Sequence, residues 1–192
     1  MINSTHYVLD LETMGKGPRA AIVAIGCVRI EQGTITGSIY RRVSLESSLQ
    51  AGLQVDASTI IWWLQQSEEA RAEVFTNQPH ARPENLASAL FGLSEFMQMI
   101  PGEDPTNCLL WGNGSSFDNV IVGNAFDACG IERPWKFWND RDLRTLLHLY
   151  PEAKRLTFEG IKHHALHDAR HEAKQLLMAL NLHQTLQVGA LV

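Results

Sequence analysis

Three strand-like runs crowd the first 43 residues of this 192-residue chain, and they restrict its fold more than any other feature. Residues 6–11 are apolar around Asp10, residues 20–31 are apolar and β-branched, and residues 34–43 alternate well enough to be a returning strand. Gln32-Gly33 is a turn, and Met14-Gly15-Lys16-Gly17-Pro18 is a loop by its Gly and Pro content. Together they predict a three-stranded antiparallel meander.

Helix signals follow. Asp56-Ala57-Ser58 caps a segment running to Gln66, and Ser67 caps residues 68–75, whose first turn is acidic. Residues 77–83 are a linker with two prolines. Pro83 opens a helix to about Ile100, which Pro101-Gly102 stops. Residues 108–111 are a short apolar strand, broken by Gly112-Asn113-Gly114. Residues 116–129 form a helix closed by Gly130. Residues 140–149 form another, ending before Pro151, and 168–183 form the last. The layout is α/β, with strands early and helices covering the sheet. At roughly 150 residues per domain, residues 1–192 read as a single domain.

Composition excludes several classes. A net charge of −5 and a pI near 5.9 rule out a globally basic nucleic-acid binder. They leave room for an enzyme that gathers its acids around metal ions. Cys27, Cys108 and Cys129 are odd in number and lack a CxxC spacing, so neither a disulfide framework nor a cysteine zinc site is indicated. The chain has no apolar run of about 18 residues, and residues 1–6 do not read as a signal peptide. The expectation is a soluble cytoplasmic protein with no membrane partner.

Four acids and one histidine carry the chemistry. Asp10 and Glu12 stand two apart at the end of the first strand, so alternation points both carboxylates to one face. Asp118 opens a helix after a glycine-rich approach. Asp168 opens the last helix, with His163 five residues before it on a loop, and histidine is the natural general base near neutral pH. Each feature alone also has an ordinary reading: solvated strand-end acids, a carboxylate complementing a helix dipole, surface histidines.

Taken together, these residues resemble the DEDDh 3′–5′ exonucleases, the DnaQ-like branch of the RNase H-like superfamily. The first motif is matched by Asp10-Leu11-Glu12-Thr13, the second by Phe117-Asp118, and the third by His163 through Asp168 with Ala169 after it. Trp62-Trp63 and Asp142-Leu143-Arg144-Thr145-Leu146 look like short stand-alone exoribonuclease and exodeoxyribonuclease members. One departure is Thr13-Met14-Gly15, where many members have Thr-Gly, so the loop that receives the terminal nucleotide is shaped differently.

The resemblance implies an RNase H-like mixed sheet, the meander plus later parallel strands, flanked by helices. It also implies two divalent cations, Mg²⁺ or Mn²⁺, on four carboxylates. Asp10 would bridge them, Glu12 and Asp168 would hold the one that activates water, and Asp118 would act on the other. His163 would take the proton from water. Single-stranded RNA or DNA would be shortened from its 3′ end to nucleoside 5′-monophosphates. Thr13, Met14, Trp62, Trp63, Phe117 and Arg144 are the candidate substrate contacts, with Lys16, Arg19 and Lys162 as further phosphate contacts. Trp62 and Trp63 point about 100° apart on a helix, so one stacks on a base while the other fills the core, or both fill it. A homodimer is compatible with the resemblance. Competing readings are a transition-metal site on His163, His164, His167 and His171, a non-catalytic nucleic-acid-binding module of the same fold, and a polymerase proofreading subunit. No glutamate directly follows His167, so the metalloprotease helix pattern is absent.

Overall fold

The computed structural model describes residues 4–75, 82–98 and 107–189. Strands β1 (Thr5–Thr13), β2 (Ile22–Glu31) and β3 (Thr34–Arg42) form the expected antiparallel meander. Gln32 and Gly33 both have positive φ, 49° and 76°. This is the two-residue hairpin geometry that matches the twist of the flanking strands.

The chain continues through α1 (Leu45–Gln50), α2 (Ala57–Leu64), α3 (Glu68–Phe75) and α4 (Leu86–Gln98). Then come β4 (Cys108–Gly112), α5 (Asp118–Cys129), β5 (Asp140–Asp142), α6 (Leu143–Leu149) and α7 (Ala165–Gly189). The five-stranded sheet has the order β3-β2-β1-β4-β5, and β4 and β5 lie parallel to β1. This is the expected mixed sheet, the meander plus later parallel strands.

Central strand β1 is covered on both faces. Tyr7, Leu9 and Leu11 pack with Leu90, Leu93, Ile121 and Phe126 from α4 and α5. Val8 packs with Leu143, Leu147, Ala169, Ala173 and Leu176 from α6 and α7. Asp10 and Glu12 continue the even-numbered face of β1, so alternation aims both acids toward the α7 side.

Several boundaries differ from expectation. Residues 140–142 pair with Leu110, Trp111 and Gly112 as a strand instead of opening a helix. Asp142 then caps α6 by accepting the Thr145 N–H at 2.7 Å. Helix α4 begins at Leu86, not Pro83, because Glu84 is held extended against Val43 and Ser44. Asn85 follows, its side chain accepting the Ala87 N–H at 2.9 Å. Its expected stop at Pro101-Gly102 falls outside the described residues, as does most of the proline linker. Helix α5 starts at Asp118 and α7 at Ala165, so Asp168 lies in the first turn of α7 and does not cap it. Asp56 stands at the start of α2 but spends its carboxylate on the Lys16 N–H, at 2.7 Å. Helix α1, capped by Ser44, was not foreseen.

Candidate active site

The sheet brings the carboxyl ends of β1 and β4 together, where open α/β sheets place their ligand crevices. A cleft of about 590 Å³ opens there, lined by Asp10, Glu12, Thr13, Trp62, Trp63, Phe117, Asp118, Arg144, His163 and Asp168. Of the fourteen residues named from sequence for the nuclease site, these ten and Lys16 therefore share one cavity. A second cavity of about 430 Å³, at the other end of β1 beneath the C-terminal half of α7, has no carboxylate in its lining.

Two glycines permit this convergence. Gly26 of β2 sits opposite Asp10 in register. A Cβ there would meet Leu166 N at 2.5 Å and come closer still to the Ala165 carbonyl, so only glycine lets the first turn of α7 press on the sheet. That turn carries Asp168 beside Asp10 and Glu12, and carboxylate oxygens of the three lie within 4.8 Å of one another. Gly112 ends β4, where a Cβ would meet Asp118 Cβ at 2.9 Å and collide with the Asn119 side chain. Asp118 consequently reaches β1 from the next element, accepting the Leu11 N–H at 3.3 Å.

His163 precedes α7 with φ 62°, an uncommon left-handed conformation for a non-glycine residue. The neighbouring backbone is pinned, since His164 N–H donates to Asp168 Oδ2 at 3.0 Å. Strain of this kind clusters at functional sites. Trp62 is 39% exposed and stands edge-on to the His163 ring at 4.8 Å. Trp63 is buried, and its indole N–H donates to the Thr13 carbonyl at 2.9 Å. The tryptophan pair thus divides: Trp62 presents a surface, and Trp63 braces the end of β1 from below.

The other expected contacts separate in the same way. Arg144 Nη2 donates to the Asn113 carbonyl at 2.7 Å while lining the cleft. Lys16 also lines the cleft, whereas Arg19 and Lys162 do not. Met14 is 1% exposed and packs in the core, because its backbone ties the loop to Ala21 and Asp56 and turns the side chain inward. The structure places it away from the cleft wall.

Burial dominates the electrostatics, with crowding added at Asp10 and Glu12. Burial pushes Glu12 up to about 9, and repulsion from Asp168 and Asp118 adds to it. Burial likewise lifts Asp118 to about 7. Asp10 and Asp168 are raised as well, first by loss of water. In Asp10, repulsion from Glu172, Glu12, Asp118 and Asp168 follows. Carboxylates held against both desolvation and one another suit a hard divalent cation, which wants oxygen ligands and relieves the repulsion. Asp10, Glu12 and Asp168 are the one group of three metal-competent side chains found among the described residues.

The histidine alternative lacks such convergence. His164 and His167 stack face to face at 3.9 Å, with Tyr40 on the other side of His164 at 4.3 Å. His167 Nδ1 accepts the Ile161 N–H at 3.0 Å. Glu172, also in the cleft, was not singled out from sequence. Its signal was the four-residue spacing from Asp168, which puts both on one helix face.

Known proteins agree with this reading. Residues 5–180 match the model of the Rv2179c-like 3′–5′ exoribonuclease domain. An exodeoxyribonuclease of Enterobacteria phage T4 is 28% identical over 205 residues, covering 90% of this chain and 86% of that one. Among solved structures, the nuclease domain of 3′hExo, a DEDDh family member bound to rAMP, has a TM-score of 0.60 at 13% identity, covering 93% of this chain and 92% of that one. A zinc-bound E. coli exonuclease I–single-stranded DNA complex has a TM-score of 0.57 at 18% identity; the match covers 96% of this chain but 41% of that larger protein. The chain belongs to the Rv2179c-like family of 3′–5′ exoribonuclease domains and is a 3′–5′ exonuclease.

Proposed function

We propose that the chain is one cytoplasmic exonuclease domain that removes nucleotides from single-stranded RNA 3′ ends, using divalent cations, and releases nucleoside 5′-monophosphates. The observation that carries this is the approach of Asp10, Glu12 and Asp168, from positions 158 residues apart in sequence, to within 4.8 Å in a cleft that also holds His163. Three oxygen donors at that spacing fit Mg²⁺ or Mn²⁺, and the pKa rises show what they suffer without a cation. The RNA preference rests on the description of the family and is tested below against DNA.

Asp10, Glu12 and Asp168 would hold one ion, with Asp10 shared toward a second on the Asp118 side. Bound ions would supply charge neutralisation and a lowered pKa for water. The protein's own groups do the remainder. His163 accepts the proton of the attacking water as its oxygen forms the new bond to phosphorus. The bond from phosphorus to the 3′ oxygen breaks, and that oxygen takes a proton from solvent. Arg144, exposed at the cleft wall, pairs with a phosphate. Trp62 stacks on a base, Trp63 fixes the backbone of Thr13, and Phe117 contributes apolar lining to the cleft. The cleft volume falls within the roughly 300–1,000 Å³ of small-ligand pockets, so one terminal nucleotide fits.

The test is 5′-labelled RNA and DNA of one sequence, incubated with the protein in EDTA, Mg²⁺ or Mn²⁺, beside Asp168→Ala. Stepwise 3′ shortening, faster on RNA and lost in EDTA and in the variant, is expected. Shortening that persists in EDTA would sink the metal assignment, and a faster rate on DNA would overturn the sugar preference.

A further inference from the structure

Asp10, Gly26 and Tyr40 are register partners across β1, β2 and β3, so they share one face of the sheet. Gly26 leaves the middle of that row empty, and the backbone of Ala165 and Leu166 fills it. The first turn of α7 therefore lies in a notch, with Asp10 as one wall and Tyr40 as the other, two strand spacings of about 4.8 Å apart.

Tyr40 meets that turn through a stack of rings. Its ring lies 4.3 Å from that of His164, and the His164 ring lies 3.9 Å from that of His167. The Tyr40 hydroxyl donates to Glu73 Oε2 of α3 at 3.2 Å, which fixes the outer end of the stack. The loop that carries His163 is tied to this stack on both sides. Ile161 N–H donates to His167 Nδ1 at 3.0 Å, and His164 is itself the middle ring. Gly160, with φ 113°, lies so near the His167 ring that a Cβ there would meet it at 2.8 Å. His163 stands between these ties with φ 62°. A strained backbone of this kind persists only where its surroundings over-determine it, and the stack is what surrounds it. Asp168 has its own anchor, inside α7, whose Ala169, Ala173 and Leu176 pack in the core.

We propose that Tyr40 is a positioning residue for the reaction: through the Tyr40–His164–His167 stack it holds the loop of His163 and sets the imidazole in the cleft. Tyr40 itself does not line the cleft, so it acts only through His163. This rests on the reading of His163 as the general base.

Single-turnover shortening of 5′-labelled single-stranded RNA in saturating Mn²⁺ tests this on Tyr40→Ala, Tyr40→Phe, His163→Gly and the double variant Tyr40→Ala/His163→Gly. Tyr40→Ala should slow the chemical step by about 100-fold, as a misplacement of about 1 Å does. Its half-saturating RNA concentration should not change, because Trp62 and Arg144 stay in place. Tyr40→Phe keeps the ring and should react much as the wild type does. In the double variant the base is already gone, so Tyr40→Ala should slow His163→Gly no further, the non-additivity of residues that act as a unit. A purely structural role would multiply the two losses. Tyr40→Leu, which fills more of the space without a ring to stack, carries the same expectations should Tyr40→Ala not fold. Tyr40→Ala at the wild-type rate, Tyr40→Phe as slow as Tyr40→Ala, or a double variant slower than His163→Gly by the Tyr40→Ala factor would each overturn this inference and leave the base assignment standing. His163→Gly at the wild-type rate would overturn both.

Discussion

Gly26→Ala should disable the site without touching any residue that lines it. The added Cβ would lie 2.5 Å from Leu166 N and closer to the Ala165 carbonyl, where ordinary carbon contacts need about 3.5–4.0 Å. Every opposing atom is backbone, so no rotamer change relieves the clash. The first turn of α7 must retreat by about 1 Å or more, and it takes Asp168 away from Asp10, the register partner of Gly26. Overpacking of this kind costs about 1–3 kcal/mol, or a fall in melting temperature of roughly 2–12 °C for a chain of this size. Misplacing a catalytic group by about 1 Å costs on the order of 100-fold in rate.

Thermal melting and single-turnover shortening of a labelled oligonucleotide measure both quantities. Gly17→Ala is the control, because a Cβ there meets nothing within 4 Å and Gly17 is exposed. It should melt and react like the wild type. A Gly26→Ala protein with wild-type melting and rate would refute the claim that this contact seats α7 against the sheet.

His163→Gly should slow shortening by about 10²–10⁴-fold as the base is lost, yet melt no lower than the wild type, because glycine relaxes the φ of 62°; a large fall in melting temperature would show that His163 is chiefly structural. Trp62→Ala should weaken oligonucleotide binding by about 1–3 kcal/mol with little change in melting, whereas Trp63→Ala should cost about 3–5 kcal/mol of stability; the reverse pattern in melting and binding assays would undo their division of labour. Glu12 and Glu172 have folded pKa values raised to about 9 and 8, so the folded metal-free protein binds more protons than the unfolded chain above about pH 4.5. Its stability should decline as pH rises from about 5 to 9, and Mn²⁺ should restore most at the alkaline end. Melting curves in EDTA that are flat or rising over that range would contradict the upward shifts that burial and neighbouring acids impose on Glu12 and Glu172.

The meander and the acid motifs were legible because each rests on local chemistry. Alternation fixes which side of β1 carries Asp10 and Glu12, and Gln32-Gly33 encodes its own turn. Residues 140–142 misled because Asp-Arg-Asp carries no strand signal of its own; pairing with β4 imposes the extended form. Met14 misled because sequence adjacency to Thr13 says nothing about which way a loop side chain turns. Gly26 was invisible for a different reason. Inside a β-branched run it reads as a weak strand residue, and its purpose exists only once α7, almost 140 residues later, is laid on top.

That dependence explains how a folded chain holds these acids at all. Each of Asp10, Glu12, Asp118 and Glu172 would be more stable spread apart in water, as their raised pKa values record. What opposes their separation lies outside the cluster. Leu9 and Leu11 bury on one side of β1 and Val8 on the other, fixing the strand that carries Asp10 and Glu12. Ala169, Ala173 and Leu176 anchor α7 on the same face as Val8, and Gly26 lets its first turn close the remaining distance. Gly112 does the same for Asp118. The apolar core thus supplies the free energy that keeps the carboxylates together, and a cation that binds them returns part of it. Weakening the core beneath α7 should therefore weaken metal binding before it unfolds the protein, because the acids then gain the freedom to move apart.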